Sequence, residues 1–600
     1  MSLETLIKDM TRAGKEAARQ LRKASRARKD EALRLMAQKL MEREKEILQE
    51  NEKDLAQARE QGMSSAMLDR LTTGAALEVY PYGIAVNAVR AAQGAMESDA
   101  LASARAIRQP VHDDQQVLQS ADNLTYNKGM AVLGMFESWM GEDLFRQAVV
   151  DYLEANEWGS ARAEDLWRSL SETSGVDVGA AMATFLDQSG VPLVTATDLG
   201  DGKVELRQER YLPADSDLDP HGRLWELPVS FRYHDGKQSR THRILLTQER
   251  QVVDLPSKGE LAWIHPNDGE TGYYRWDVAP AMLRRMAESA PEILTPRERV
   301  ALPDNAQALL GAGRMDGPTF LDIVSELAAD PRPEVVDAAL SHLGTVRMAF
   351  VTPDQEEAFA AFVRRTLEPA RRRFGLEPVA GEAEAVALLR PDLVSWLGKY
   401  GHDPEVIAFA KEITRAYLDD RASVDPEVVS ACLQIAALDG DWVLYNAYKK
   451  GFEEASVPAE RQRFLAALGW FRQEVMVKAA LRYSLTGDLR PQERFTIPMG
   501  LGAAGDRERA LLWEWMTTNY EQIMDFIPPM FAVYMPYFAA GCSADRLEAA
   551  RVFFDPEGEH FVAGQEKELA KVSEMTGHCI GLREREGEAV AAYLRDLAGL

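Results

Sequence analysis

Cysteine is scarce in this sequence, with only Cys432, Cys542 and Cys579 present. Three thiols so widely scattered exclude a disulfide framework and a multi-cysteine metal site, and fit a reducing, cytoplasmic setting. Long apolar runs are missing as well. The first twenty residues carry Lys8, Asp9, Arg12, Lys15 and Glu16 where a signal peptide would need an apolar core. The longest apolar stretch, Ile527 to Cys542, is broken by Pro528, Pro529 and Pro536, so no membrane span is expected. Basic charge is in deficit, 69 Lys and Arg standing against 95 Asp and Glu for a net charge of −26. A surface of that sign opposes nucleic acid and anionic membrane, and neither is expected as a partner.

Histidine is sparse too. The nine are His112, His221, His234, His242, His265, His342, His402, His560 and His578, and no two lie four residues apart. This chain therefore encodes no helical zinc site of the H-E-x-x-H type, which needs two imidazoles one helical turn apart. His112 beside Asp113 and Asp114, and His578 beside Cys579, are adjacent rather than ligand-spaced. Neighbouring residues on a strand or helix point in different directions, so solvated side chains are expected there. Gly500-Leu501-Gly502-Ala503-Ala504-Gly505 matches a dinucleotide-binding pattern formally. Helical sequence flanks it and Pro498 precedes it, which predicts an interhelical turn rather than the opening of a βαβ unit.

What is present is ordinary globular material, 46% hydrophobic over 600 residues, enough for several domains. Residues 3–60 read as helix, with Leu33, Met36, Ala37, Leu40 and Ile47 at three-to-four spacing. The pattern fades across 73–84, a candidate linker, and returns to about Gln188. Between Pro192 and Trp276 the period becomes two, as in Val204/Leu206 and Val229/Phe231/Tyr233. Asp-Gly pairs at 201–202, 235–236 and 268–269 mark turns, which predicts a small β-sandwich. Beyond Pro280 amphipathic helices follow one another, separated by signals such as Asp330-Pro331, Asp403-Pro404 and Asp425-Pro426, as in an α-solenoid.

Within residues 1–72, the segments Leu3-Glu4-Thr5-Leu6-Ile7, Lys15-Glu16-Ala17-Ala18-Arg19, Asn51-Glu52-Lys53-Asp54-Leu55 and Met67-Leu68-Asp69-Arg70-Leu71 resemble the start of gamma-glutamyl phosphate reductase. That resemblance implies an aldehyde dehydrogenase fold, but the nucleophilic cysteine and nucleotide loops of the fold do not follow. The first cysteine, Cys432, lies deep in the helical tail and is expected to be a buried hydrophobe.

From about residue 85 to 600 a second resemblance runs colinearly. Ala100-Leu101-Ala102-Ser103-Ala104-Arg105, Leu124-Thr125-Tyr126-Asn127-Lys128-Gly129, Glu164-Asp165-Leu166-Trp167, Gly272-Tyr273-Tyr274-Arg275 and Trp513-Glu514-Trp515 resemble the later part of the aminopeptidase N family of zinc peptidases. The resemblance implies zinc as cofactor and gives Tyr126 the place of the phenol that stabilises the oxyanion. Generating that charge needs the metal and a general base, and this chain has no ligand set, so Tyr126 is expected to be vestigial and no metal or cofactor is expected. Gly94-Ala95-Met96-Glu97 echoes the family's amine-anchoring G-A-M-E-N, but Ser98 follows and the echo reads as coincidence.

The expected fold is thus mainly α with a small β-sandwich. It comprises a helical leader (1–72), a linker (73–84), a helical remnant of the metallopeptidase domain (85–190), a β-sandwich (191–278) and a C-terminal α-solenoid (279–600). The expected function is that of an aminopeptidase-like protein without catalysis, binding at most peptides in the helical bowl. Trp513, Trp515, Phe531, Tyr534, Tyr537 and Phe538 are candidates for lining it, although aromatics at helical spacing are more often core. The alternatives are a scaffold that meets a protein partner through exposed apolar faces, a fused or artificial chimera, and an active zinc aminopeptidase with a rearranged site.

Overall fold

The computed structural model describes residues 81–600, apart from 110–121, 158, 257–258, 380 and 600, together with the isolated positions 39, 43, 49 and 53. Most of the segment 1–72, for which the sequence suggests a reductase resemblance, most of the linker and the His112 cluster lie outside the described residues. Pro81 to Leu600 form one compact unit.

Among the described residues five helices come first: α1 (Pro81–Ala100), α2 (Asn123–Met140), α3 (Glu142–Ala155), α4 (Ala163–Ser174) and α5 (Val178–Leu186). Asp122 caps α2, its side chain accepting a hydrogen bond from the Thr125 amide. Val132, Met135 and Phe136 of α2 are buried against Val89, Ala95 and Met96 of α1.

Seven strands follow: β1 (Pro192–Gly200), β2 (Lys203–Arg210), β3 (Leu227–His234), β4 (Ser239–Leu246), β5 (Arg250–Asp254), β6 (Trp263–His265) and β7 (Arg275–Asp277). They form a four-stranded sheet in the order β5-β2-β1-β7 and a three-stranded sheet β4-β3-β6. The period-two residues Val204, Leu206, Val229, Phe231 and Tyr233 all face the core. Asp201 and Gly202 both take positive φ between β1 and β2, the backbone that makes Asp-Gly a tight hairpin turn. Asp268-Gly269 instead forms a 3-10 turn between β6 and β7, with Gly269 at φ 63°.

Helices then run to the end: α6 (Pro280–Glu288), α7 (Ala290–Ile293), α8 (Pro296–Gly311), α9 (Gly317–Ala328), α10 (Pro333–Phe350), α11 (Glu356–Phe374), α12 (Glu384–Lys399), α13 (Pro404–Asp419) and α14 (Pro426–Leu438). The remainder are α15 (Trp442–Glu454), α16 (Pro458–Leu468), α17 (Glu474–Thr486), α18 (Thr496–Ala504), α19 (Asp506–Thr518), α20 (Tyr520–Met524), α21 (Ala544–Phe553) and α22 (Gln565–Ala598). Asp403 and Asp425 are N-caps followed by proline at the first helical position, the physical basis of the Asp-Pro signals. Asp330-Pro331 differs: α10 starts two residues later, and Asp330 accepts from the Arg332 amide and pairs with Arg299 at 2.5 Å.

The helices stack in two layers, α8, α10, α12, α14, α16 and α18 packing one on the next. The row curls back on itself. Arg347 of α10 donates to the carbonyl of Ala504 at the end of α18, and Tyr400 after α12 donates to the Ala503 carbonyl at 3.3 Å. The long α22 returns to pack on α9, α10 and α11 as well as on α21, closing the solenoid into a bowl. The fold is mainly α with a small β-sandwich, as the sequence predicts.

Two sequence expectations are corrected. Cys542 and Cys579 are not separate thiols: their Cα atoms lie 5.2 Å apart and the two form a disulfide that ties α22 to the segment before α21. Spacing along the chain hid a proximity that only the return of α22 creates. The Gly500–Gly505 run is not a turn either. Gly500 and Gly502 lie inside α18, and only Gly505 sits at the junction with α19. Trp515, finally, belongs largely to the core, whereas Phe531, Tyr534 and Tyr537 are exposed.

Candidate functional site

The segment that carries Tyr126 is held by its neighbours. Arg105 pairs with the capping carboxylate of Asp122 at 2.8 Å and donates to the Thr125 hydroxyl at 2.7 Å. Two residues beyond Tyr126, Lys128 turns inward and meets Asp99 of α1 at 2.8 Å, both side chains wholly buried. Asp99 also accepts from the Tyr273 hydroxyl at 3.2 Å and from the Gly190 amide at 3.0 Å. Burial pulls the Lys128 amine down from its usual range while Asp99 resists. Residues two apart on a helix point roughly 200° apart, so anchoring Lys128 in the core turns Tyr126 outward. Its side chain is 68% exposed, and its phenol has no hydrogen-bond partner among the described residues.

Glu97 of the G-A-M-E echo belongs to a different group, feeling the charges of Asp304 of α8, His342 of α10 and Arg275 of β7. His342 bonds Gln307 through Nδ1 at 2.8 Å and faces Asp304 through Nε2 at 3.6 Å. Burial pushes Asp304 up to about 6 against the pull of Arg275 and Arg90, and pushes His342 down to about 4. Glu97 keeps contact with solvent, yet burial by the surrounding chain raises its carboxyl, opposed by Arg275.

A second buried network joins the sandwich to the solenoid. His265 accepts from the Asn267 amide at Nδ1 and lies 3.4 Å from Glu270 through Nε2. Glu270 also accepts from the Trp276 indole at 2.9 Å, and burial pushes its carboxyl up to about 8. Glu298 forms a capping box at the start of α8 and pairs with Arg232. Nothing in the sequence spacing pointed to either network, because their members come from separate elements.

Among the described residues no three His, Cys, Asp or Glu side chains converge as metal ligands. His265 accepts at Nδ1 from the Asn267 amide while its buried Nε2 makes no hydrogen bond among the described residues, His342 bonds Gln307, and His560 stacks on Phe553 with ring centroids 4.1 Å apart. The described residues do not present a ligand set that fits a zinc centre.

On the bowl, α18, α19 and the Pro529–Ala539 turn enclose a groove of about 290 Å³ lined by Met348, Pro498, Met499, Leu512, Tyr537 and Phe538, with Arg509 at its edge. Cations stacked on aromatic rings stand nearby. Arg347 lies 4.5 Å over Tyr400, and Lys399 lies 3.7 Å over Trp470, with Arg472 on the same indole at 4.9 Å. Burial and the neighbouring Arg472 bring Lys399 down to about 7.

Comparison with known proteins places the fold. The family model of the ERAP1-like C-terminal domain matches residues 263–574, from β6 to the middle of α22. The chain belongs to the ERAP1-like C-terminal domain family. The Peptidase family M1 domain model matches residues 62–185, so the peptidase likeness begins earlier than the motifs near residue 100. Similar curated proteins include Aminopeptidase 2 of Candida albicans, 26% identical over 442 residues, covering 73% of this chain and 47% of that protein. Aminopeptidase M1-A of Oryza sativa subsp. japonica is 27% identical over 443 residues, covering 71% of this chain and 49% of that protein. Aminopeptidase 2, mitochondrial, of Saccharomyces cerevisiae is 22% identical over 515 residues, covering 84% and 52%. The chain thus spans about half the length of the curated relatives it matches. The resemblance to the aminopeptidase N family holds for this chain. No helix among the described residues is long and apolar enough to cross a membrane.

Proposed function

We propose that this chain binds peptides in the helical bowl and does not hydrolyse them. The observation that carries the reading is the apolar groove between α18, α19 and the Pro529–Ala539 turn, with Arg509 at its edge. Its volume, close to 290 Å³, suits an amino-acid side chain, and Arg509 among its lining residues provides a guanidinium group for peptide carbonyls or carboxylates. Against hydrolysis stands the spacing of the nine histidines, none of which forms an H-E-x-x-H pair. Tyr126 alone has no metal-generated oxyanion to receive.

The test is threefold. A fluorescein-labelled nonapeptide with an apolar residue is titrated against the full chain by anisotropy, zinc is measured by elemental analysis, and turnover of a fluorogenic amino-acid amide is followed with and without chelator. Saturable binding without zinc or turnover is expected. One zinc per chain with chelator-sensitive turnover would overturn the reading in favour of an active peptidase.

A second reading, a scaffold that docks a protein partner, draws on the exposed apolar side chains of α2 and α3, among them Tyr126, Met130, Leu144 and Leu153. A stable partner recovered by cross-linking through these side chains, with no peptide affinity, would favour it.

A further inference from the structure

A second cavity, of about 340 Å³, opens where α6, α9, α11 and α22 meet, and it shares no lining residue with the bowl groove. Its charged lining is divided. Glu288 of α6 with Asp322 and Glu326 of α9 supply three carboxylates, while Arg284 of α6 and Arg365 of α11 supply two guanidinium groups. Opposite charges crowding one small cavity would ordinarily be found in contact.

Here they are held apart. None of the five forms an ion pair among the described residues. Asp322 accepts a hydrogen bond from the Tyr593 hydroxyl at 2.6 Å, and Arg284 donates to the Thr319 hydroxyl at 3.2 Å. The side chains of Glu288, Glu326 and Arg365 have no hydrogen-bond partner among the described residues. Burial and the adjacent Glu288 and Asp322 carboxylates raise the Glu326 carboxyl. The two walls are nevertheless fixed side by side. Ser325 and Thr366 hydroxyls meet at 3.1 Å, and Glu326 and Arg365 are the next residues along their helices.

We propose that this cavity binds a free α-amino acid as its zwitterion, with the ammonium group among Glu288, Asp322 and Glu326 and the carboxylate on Arg365 and Arg284. An α-amino acid carries an ammonium and a carboxylate on one carbon, so one small molecule can meet both halves of a divided lining of this size. A residue within a peptide cannot, because its amine and carboxyl are tied up in amide bonds. Ala287, Ile323, Ala329, Pro369 and Leu597 supply the apolar surface for its side chain, which favours aliphatic amino acids.

The experiment is calorimetric titration of the full chain with three probes: L-leucine, the amine-only analogue isoamylamine, and the carboxylate-only analogue 4-methylpentanoate. L-leucine is expected to bind one per chain and about tenfold or more tighter than either half-molecule, each charge-assisted contact being lost in one analogue. Arg365→Ala and Glu326→Gln, both at solvent-facing positions, are expected to weaken L-leucine by about tenfold each with an unchanged melting temperature. In the unaltered chain, L-leucine is expected to protect Arg365 from phenylglyoxal, read by peptide mass. No heat with L-leucine, equal binding of all three probes, full binding by either variant, or absence of protection would each overturn the proposal.

Discussion

Lys128 of α2 and Asp99 of α1 meet at 2.8 Å with neither side chain touching solvent, and the Tyr273 hydroxyl and Gly190 amide complete the acceptor set of Asp99. The buried ion pair thus joins α1 to α2, and the Asp99 carboxylate ties both to the chain flanking the β-sandwich strands through Tyr273 and Gly190. Removing one partner leaves the other charge uncompensated in the core. Lys128→Met is therefore expected to cost about 3–5 kcal/mol of unfolding free energy, read by urea denaturation. Combining it with Asp99→Asn, which removes the charge while its amide can still bond the Gly190 amide and the Tyr273 hydroxyl, is expected to cost less than Lys128→Met alone. A double variant as damaged as the single one would show that packing, not charge, decides.

Tyr126 stands in contrast to its neighbour Lys128. Exposed and unpartnered, it is expected to tolerate Tyr126→Phe with a stability change within about 0.5 kcal/mol, the usual range for surface positions. Peptide affinity measured by anisotropy should be unchanged. A large loss of amino-acid amide turnover in this variant would instead reveal chemistry that the chain is proposed to lack.

How much of this was legible in the sequence follows from what is local. The Asp-Pro helix starts at Asp403 and Asp425, the Asp201-Gly202 hairpin and the alternation at Val229, Phe231 and Tyr233 are each set by a few adjacent residues, and all appear as expected. The motif around Tyr126 was visible by resemblance, yet Lys128, the fifth residue of the Leu124–Gly129 segment, proved the anchoring residue through Asp99. What was illegible depends on chain return: the Cys542–Cys579 pair, the Glu97, Asp304 and His342 group, and the divided cavity at Arg365 and Glu326. Each joins elements separated by tens or hundreds of residues, and no periodicity encodes such meetings.

The cysteine pairing has a direct consequence. Thiol titration of the denatured, non-reduced chain should find one reactive group, Cys432, rather than three. In the native chain even that thiol should stay silent, since burial pushes it up to about 12. Closing a loop with a sequence separation of 37 contributes about 3–4 kcal/mol in the chain-entropy picture. Cys542→Ser should therefore lower the urea midpoint under oxidising conditions and change nothing in excess reductant. Equal midpoints under both conditions would count against the link.

Asp304 and His342, 3.6 Å apart, pull the pH dependence of stability in opposite directions. Burial raises Asp304 from 3.8 to about 6, so the native state holds this proton more tightly than the unfolded chain. Its contribution is greatest below pH 4 and is lost as pH rises through about 6. Burial lowers His342 from 6.5 to about 4, so the unfolded chain holds that proton more tightly, and stability is gained as pH rises from about 4 to 6.5. In the intact protein the two slopes largely cancel across this window, with the raised Glu97 adding to the falling side. Asp304→Asn removes the principal falling slope, and stability should climb by on the order of 2 kcal/mol between pH 4.5 and 6.5. His342→Gln, which preserves a partner for Gln307, leaves the carboxylates unopposed, and stability should fall over the same interval. Urea midpoints at the two pH values decide the matter: slopes of the same sign in both variants would mean that this pair does not set the pH response.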